Sequence, residues 1–147
     1  MKKLLCIIVV MISMSALAQR GDKRERIKAL KVAFITEQLD LTTEESQVFW
    51  PIYNTFEKET NTIRFKEIKD IRKEIRDNLD TMTDTDASTL IKRLNKAENR
   101  MHELRLGLSD KLKNVIPAKK IIRLKIAEDD FRRKILNEFK RRKRERP

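Results

Sequence analysis

The chain has 147 residues and is strongly basic, with 35 Lys and Arg against 23 Asp and Glu, a net charge of +12. It contains one cysteine, two glycines and three prolines, while 39% of its residues are charged. A disulfide framework is therefore excluded, tight β-turns lack their usual residues, and the expectation is one small all-helical domain.

The first eighteen residues, MKKLLCIIVVMISMSALA, read as an export signal. Lys2 and Lys3 form the basic region, Leu4 to Ile12 the apolar core, and Ala16-Leu17-Ala18 the small-residue cleavage site. The apolar run is too short to span a bilayer, which takes roughly 20 residues. Cys6 lies inside that run instead of just after it, which argues against a lipoprotein anchor. Cleavage after Ala18 leaves 129 residues without cysteine, with 33 basic and 23 acidic groups and a net charge of +10. The expected location is the periplasm. A cationic exported protein meets anionic lipid and acidic polypeptides, with nucleic acid the least favoured partner.

Residues 19–139 are expected to form the helical domain, followed by a basic tail over 140–147 with the sequence KRRKRERP. The first helix opens near Asp22 and runs to about Leu39, with Ile27, Leu30 and Phe34 on one stripe and Val32, Ile35 and Leu39 on another. After a break at Asp40-Leu41, Thr42 caps the next helix and Glu45, three residues into it, reaches back to the cap's own N–H. Apolar residues recur at Phe49, Ile52, Phe56, Ile63, Ile68, Ile71, Ile75 and Leu79, with Thr60 and Glu67 bridging the gaps. One helix roughly 55 Å long follows from that pattern. Pro51 stands well inside it and is expected to kink the helix at a cost of roughly 3 kcal/mol. The aromatic elbow of Phe49, Trp50, Tyr53 and Phe56 either compensates by burial or forms an exposed patch for a partner.

The cluster DTMTDTD then turns the chain, with Thr83 and Asp86 spaced as a second cap. Leu90, Leu94, Ala97, Met101, Leu104 and Leu108 form a heptad seam, making this helix the antiparallel partner of the one before it. Gly107 within the seam costs on the order of 1 kcal/mol unless it allows close approach. Pro117 ends or bends this helix, and a last one follows from Ala118 to about Lys143, with Ile121, Leu124, Phe131, Ile135 and Phe139 on one face. The architecture expected is thus about four helices, a long antiparallel hairpin with flanking N- and C-terminal helices.

Nothing in this pattern points to catalysis. One histidine, few serines and no glycine-rich phosphate loop leave a nucleophile-base pair or a nucleotide site without a seat. Glu98 and His102 make one i,i+4 pair, two ligands where zinc wants three or four, so neither a metal nor another cofactor is expected. The charges in KEIKDIRKEIRDNLD read as a solvated helix face. The last helix instead alternates charge with apolar side chains, and Lys119, Lys120, Arg123, Lys125, Arg132, Arg133 and Lys134 mark a candidate surface for a client or partner.

The signal, the basic cysteine-free mature chain and LTTEE at the head of the hairpin resemble the Spy/CpxP family of periplasmic stress proteins, whose hallmark is a repeated Leu-Thr-x-x-Gln. Leu41, Thr42 and Glu45 fill that motif, with Glu in place of Gln; the second copy is degenerate, with only VIPAKK at its position. RIKALKVAFITEQLDLTTEESQVFWPIYNTFEKE and KIIRLKIAEDDFRRKIL are similar to the Bacteroidetes branch labelled sensors of ECF-type sigma factors. The resemblance implies an ATP-independent chaperone, an antiparallel helical dimer whose basic, partly apolar concave face holds unfolded or partly folded periplasmic proteins. Alternatively, it implies a partner for the periplasmic domain of a sensor or anti-sigma protein, since an exported chain cannot touch a cytoplasmic sigma factor. Metal-sensing relatives use several histidines, and this chain has one. Apart from the resemblance, the charge alone leaves open a basic protein bound to an anionic membrane surface.

Overall fold

The computed structural model describes residues 25–144, so the expected signal and the Asp22 cap lie outside the described residues. The described residues are helical almost throughout, without a strand. They fall into two compact units, one formed by the N-terminal segment up to Asp40 together with the chain from Ile122 onward, the other by Leu41–Ile121.

In the first unit, α1 covers residues 25–39 and ends where Asp40 adopts a left-handed backbone, φ 49°, its N–H donating to the carbonyl of Glu37 at 3.1 Å. Aspartate is among the few non-glycine residues that tolerate that conformation, which is why the helix stops here. The other component of this unit is residues 122–144 of α5, Ala118–Arg144. Phe34 and Phe131 meet with ring centroids 5.7 Å apart, and the Lys134 ammonium lies 5.3 Å from the centre of the Phe34 ring. Ile35, Leu39, Leu124, Ala127 and Phe131 are buried. Leu30 and Phe139, both expected on buried stripes, are more than half exposed. The helix carries on through residues 140–144 of the expected tail, with Arg141 and Arg142 paired to Glu138.

The second unit is the expected hairpin. Its first arm is α2 (Thr43–Thr62), a π-helical segment (Ile63–Ile68) and α3 (Lys69–Asn78), joined without a break. Its second arm is α4, Asp84–Leu112. Thr83 and Asp86 form the predicted capping box at the start of α4. Glu67 pairs with Arg100 and Glu74 with Arg93, both at 2.8 Å, so numbering runs in opposite directions along the two arms. Past α4, Ile116 is buried and Pro117 precedes α5, its carbonyl accepting from the N–H groups of Lys120 and Ile121. The α2 helix runs through Pro51, and no interruption marks the expected kink there.

The departure from regular α geometry lies further on, and the apolar spacing explains it. Along the first arm the buried positions are Phe49, Tyr53, Thr60, Ile63, Ile68 and Ile71. An α-helix turns about 100° per residue, so a step of five carries Ile68 about 140° away from Ile63. A π turn closes its hydrogen bonds one residue later and absorbs the surplus residue. Ile63 and Ile68 then share one cluster with Ala97 and Met101, flanked by Leu94 and Leu104. Burial of an Ile side chain contributes about 1.5–3 kcal/mol, enough to select the irregular turn over a straight helix that exposes half the arm's apolar residues.

Deleting one exposed residue of the π segment, Lys66, places Ile68 four residues after Ile63 and lets the arm become regular α-helix. The variant should retain its helical circular dichroism and melt cooperatively, within about 5 °C of the parent. Deleting the equally exposed Lys96 from α4 rotates the rest of the seam by about 100° and should abolish the cooperative transition. Equal damage from both deletions would refute the register argument.

Gly107 has open space around the position a Cβ would take, with no heavy atom within 4 Å. Close approach of the arms therefore does not account for it. Gly107→Ala should stabilise the protein by about 0.5–1 kcal/mol, measured by urea denaturation, through lower backbone entropy in the unfolded chain.

Candidate functional site

The motif Leu41-Thr42-x-x-Glu45 makes both halves of a capping box. The Thr42 hydroxyl accepts from the Glu45 N–H at 3.2 Å, and a Glu45 carboxylate oxygen accepts from the Thr42 N–H at 2.9 Å. That same oxygen also accepts from the Lys120 ammonium at 2.6 Å, across 75 residues of sequence. Glu45 and Lys120 side chains are only 19% and 21% exposed, so this pair is shielded more than the cross-arm pairs Arg93–Glu74 and Arg100–Glu67. The carboxylate therefore ties the head of α2 to the first turn of α5. A glutamine at this position caps equally well but brings no charge to the lysine. The Lys120 hydrogen bond first, and the Thr42 backbone N–H second, hold the Glu45 carboxyl below its ordinary value.

The aromatic elbow forms one connected set. Phe49 and Tyr53 are fully buried and stack at 5.5 Å, and the Trp50 ring stands nearly perpendicular to both, at 5.0 and 5.6 Å. Tyr53 also meets Phe56 at 6.1 Å. Trp50 and Phe56 are half-buried, Leu41 likewise, and Pro51 faces solvent. Aromatic pairs contribute about 0.5–1.5 kcal/mol each beyond the area they bury, so this set is of the right size to offset the hydrogen bond that Pro51 removes.

The seven cations expected to form a partner surface divide into two kinds. Lys120 is committed to Glu45; Arg132 and Arg133 pair with Asp129 and Asp130, one helical turn before them; and Lys134 covers Phe34. Lys119, Arg123 and Lys125 are exposed and form no ion pair among the described residues. Ile122, Ile126, Leu136 and Phe139 are each more than half exposed on the same helix. His102 is exposed on α4, and among the described residues no group of three or more His, Cys, Asp or Glu could hold a metal ion.

The sequence pattern alone did not single out the two edges of the hairpin. One edge places Glu67, Asp70 and Glu74 of the first arm opposite Arg93, Lys96 and Arg100 of the second, and two ion pairs cross it. The other edge is a groove of about 680 Å³ lined by Arg64, Phe65, Ile68, Lys69, Arg72, Arg76, Glu98, Met101 and Arg105. The signal was present in the step of four that links Arg64, Ile68, Arg72 and Arg76, with no acid among them. No family model matches the chain, and neither does any curated protein or solved structure.

A lowered folded-state pKa means that the ionised Glu45 is favoured by folding. Its contribution is complete above the unfolded carboxyl value, about 4.3, and is lost as pH falls through the lower folded value. Asp86, lowered by its hydrogen bonds to Thr83, acts in the same direction. Glu45→Gln keeps the cap and removes the ion pair, so its melting temperature should fall less steeply than the parent's between about pH 5 and pH 3. Parallel curves would remove the Lys120 contact from this account.

Proposed function

We propose that the chain is an exported, non-enzymatic helical protein of the envelope stress response, acting in the Spy/CpxP manner as an ATP-independent chaperone or stress-sensing binding partner in the periplasm. The observation that carries this reading is the coexistence on α5 of exposed apolar side chains, Ile122, Ile126, Leu136 and Phe139, with exposed cations, Arg123 and Lys125 among them. An isolated exposed apolar residue needs no explanation, but several along one cationic helix make a surface that attracts at long range and adheres weakly on contact. Such a surface suits partly folded polypeptides, whose own apolar side chains are exposed and whose charges vary. Rate of encounter comes from charge, and retention comes from apolar contact.

The test is suppression of aggregation of a chemically unfolded protein without ATP, followed by light scattering at low and high salt. Stoichiometric protein should suppress scattering, with slower capture in high salt, and replacing Ile122, Ile126 and Phe139 together by Ser should reduce the effect several-fold. Absence of suppression by the parent protein at stoichiometric concentration overturns the chaperone reading.

A further inference from the structure

The groove on the second edge of the hairpin carries a charge problem that the first edge does not have. Five cations, Arg64, Lys69, Arg72, Arg76 and Arg105, line it with one carboxylate, Glu98, for a net +4. None of the five forms an ion pair among the described residues, and all are exposed. On the opposite edge the same two arms place acids against bases. Like charges at helical steps of three and four, as at Lys69, Arg72 and Arg76, and across the groove at Arg105, repel one another and are left so at a cost in stability. Between these charges the groove is apolar. Ile68 and Met101 are buried in its floor, and Phe65, 61% exposed, stands in its wall. The π segment sets this arrangement, because Phe65 lies within the turn that brings Ile68 back to the hairpin core.

We infer that this groove is a binding site for a single-chain amphiphile with a phosphate monoester head, the alkyl chain lying along Phe65, Ile68 and Met101 and the head among Arg64, Lys69, Arg72, Arg76 and Arg105. Charge complementarity selects an anion. The number of cations selects a head carrying about −1.5 to −2 charges with three acceptor oxygens over a single carboxylate. Four of the five cations are guanidinium groups, whose planar fork of donors matches phosphate oxygens in pairs. The apolar floor selects a head that carries a chain, since a free anion leaves Phe65 in water. This inference stands apart from the chaperone reading, which concerns α5.

Isothermal titration of the full-length protein with dodecyl phosphate, below its micellar concentration, tests the site. Saturable binding is expected, together with a rise in melting temperature, because the ligand binds the folded chain and relieves repulsion in it. Dodecyl phosphocholine, with the same chain and no net charge, should bind at least about tenfold more weakly, and glycerol phosphate, with the head and no chain, likewise. Arg72→Ser with Arg76→Ser should weaken dodecyl phosphate by about tenfold or more. Phe65→Ser should weaken it several-fold while leaving glycerol phosphate unchanged. Lys140→Ser with Lys143→Ser, on α5, should leave binding as it is. All substituted residues are exposed, and circular dichroism verifies that each variant keeps its helices. Equal binding of the phosphocholine, equal binding of glycerol phosphate, or a loss on the α5 variant matching that on the groove variant would each overturn the inference.

Discussion

The hairpin depends on keeping one apolar stripe continuous along two long arms, with no cysteine in the described residues and one glycine among them to help. An α-helix keeps side chains on one face only in steps of three and four. The first arm breaks that rule with the step from Ile63 to Ile68, and the protein resolves it by changing the helix instead of the core. Six residues of π geometry carry the surplus, Ile68 and Ile71 return to the buried side, and the seam of Leu90, Ala97, Met101, Leu108 and Leu112 on α4 stays uninterrupted. The cross-arm ion pairs and the cationic groove are consequences of a register fixed at this one turn.

Register also decides the charge pattern. Once Ile63, Ile68 and Ile71 face α4, the residues beside them are assigned to one edge or the other. Glu67, Asp70 and Glu74 fall opposite bases, and Arg64, Lys69, Arg72 and Arg76 fall beside Arg105. The ion pairs on the first edge are between half-exposed side chains and contribute at most about 1 kcal/mol each. Their use is to disfavour slipped registers, since a slip of one heptad leaves only one of the two pairs made. The second edge has no such balance, and its repulsion is tolerated because five water-exposed cations screened by salt cost less than the burial of Ile68 and Met101 contributes.

Much of this architecture was legible in the residues. Scarce glycine and proline gave the helical class; Thr42 with Glu45 and Thr83 with Asp86 gave the two helix starts; the steps from Leu90 to Leu108 gave the seam. These are local or periodic signals, and local geometry determines them. What escaped were the features that depend on partners distant in sequence. On a regular α-helix Glu67 bridges a gap in the stripe, whereas that gap is the mark of the π turn. Lys120 stands in the sequence among the other cations of α5, and nothing within a few residues of it announces Glu45. Phe139 and Leu30 follow the helical period faithfully and are nevertheless exposed, since periodicity gives a face but not whether anything covers it.

Glu45 joins these two levels. As a cap it needs only an acceptor three residues after Thr42, and glutamine suffices. As the partner of Lys120 it needs a charge, in a place sheltered enough for that charge to be worth more than an exposed pair. A carboxylate accepting from both a backbone N–H and an ammonium has its lone pairs well used, which offsets the cost of partial burial that would otherwise push its proton affinity up. A glutamate rather than a glutamine at position 45 therefore has a physical meaning within this chain. It converts a helix cap, which fixes where α2 begins, into a fastening between the start of α2 and the start of α5, and it does so with an interaction that acid weakens by protonating a single group.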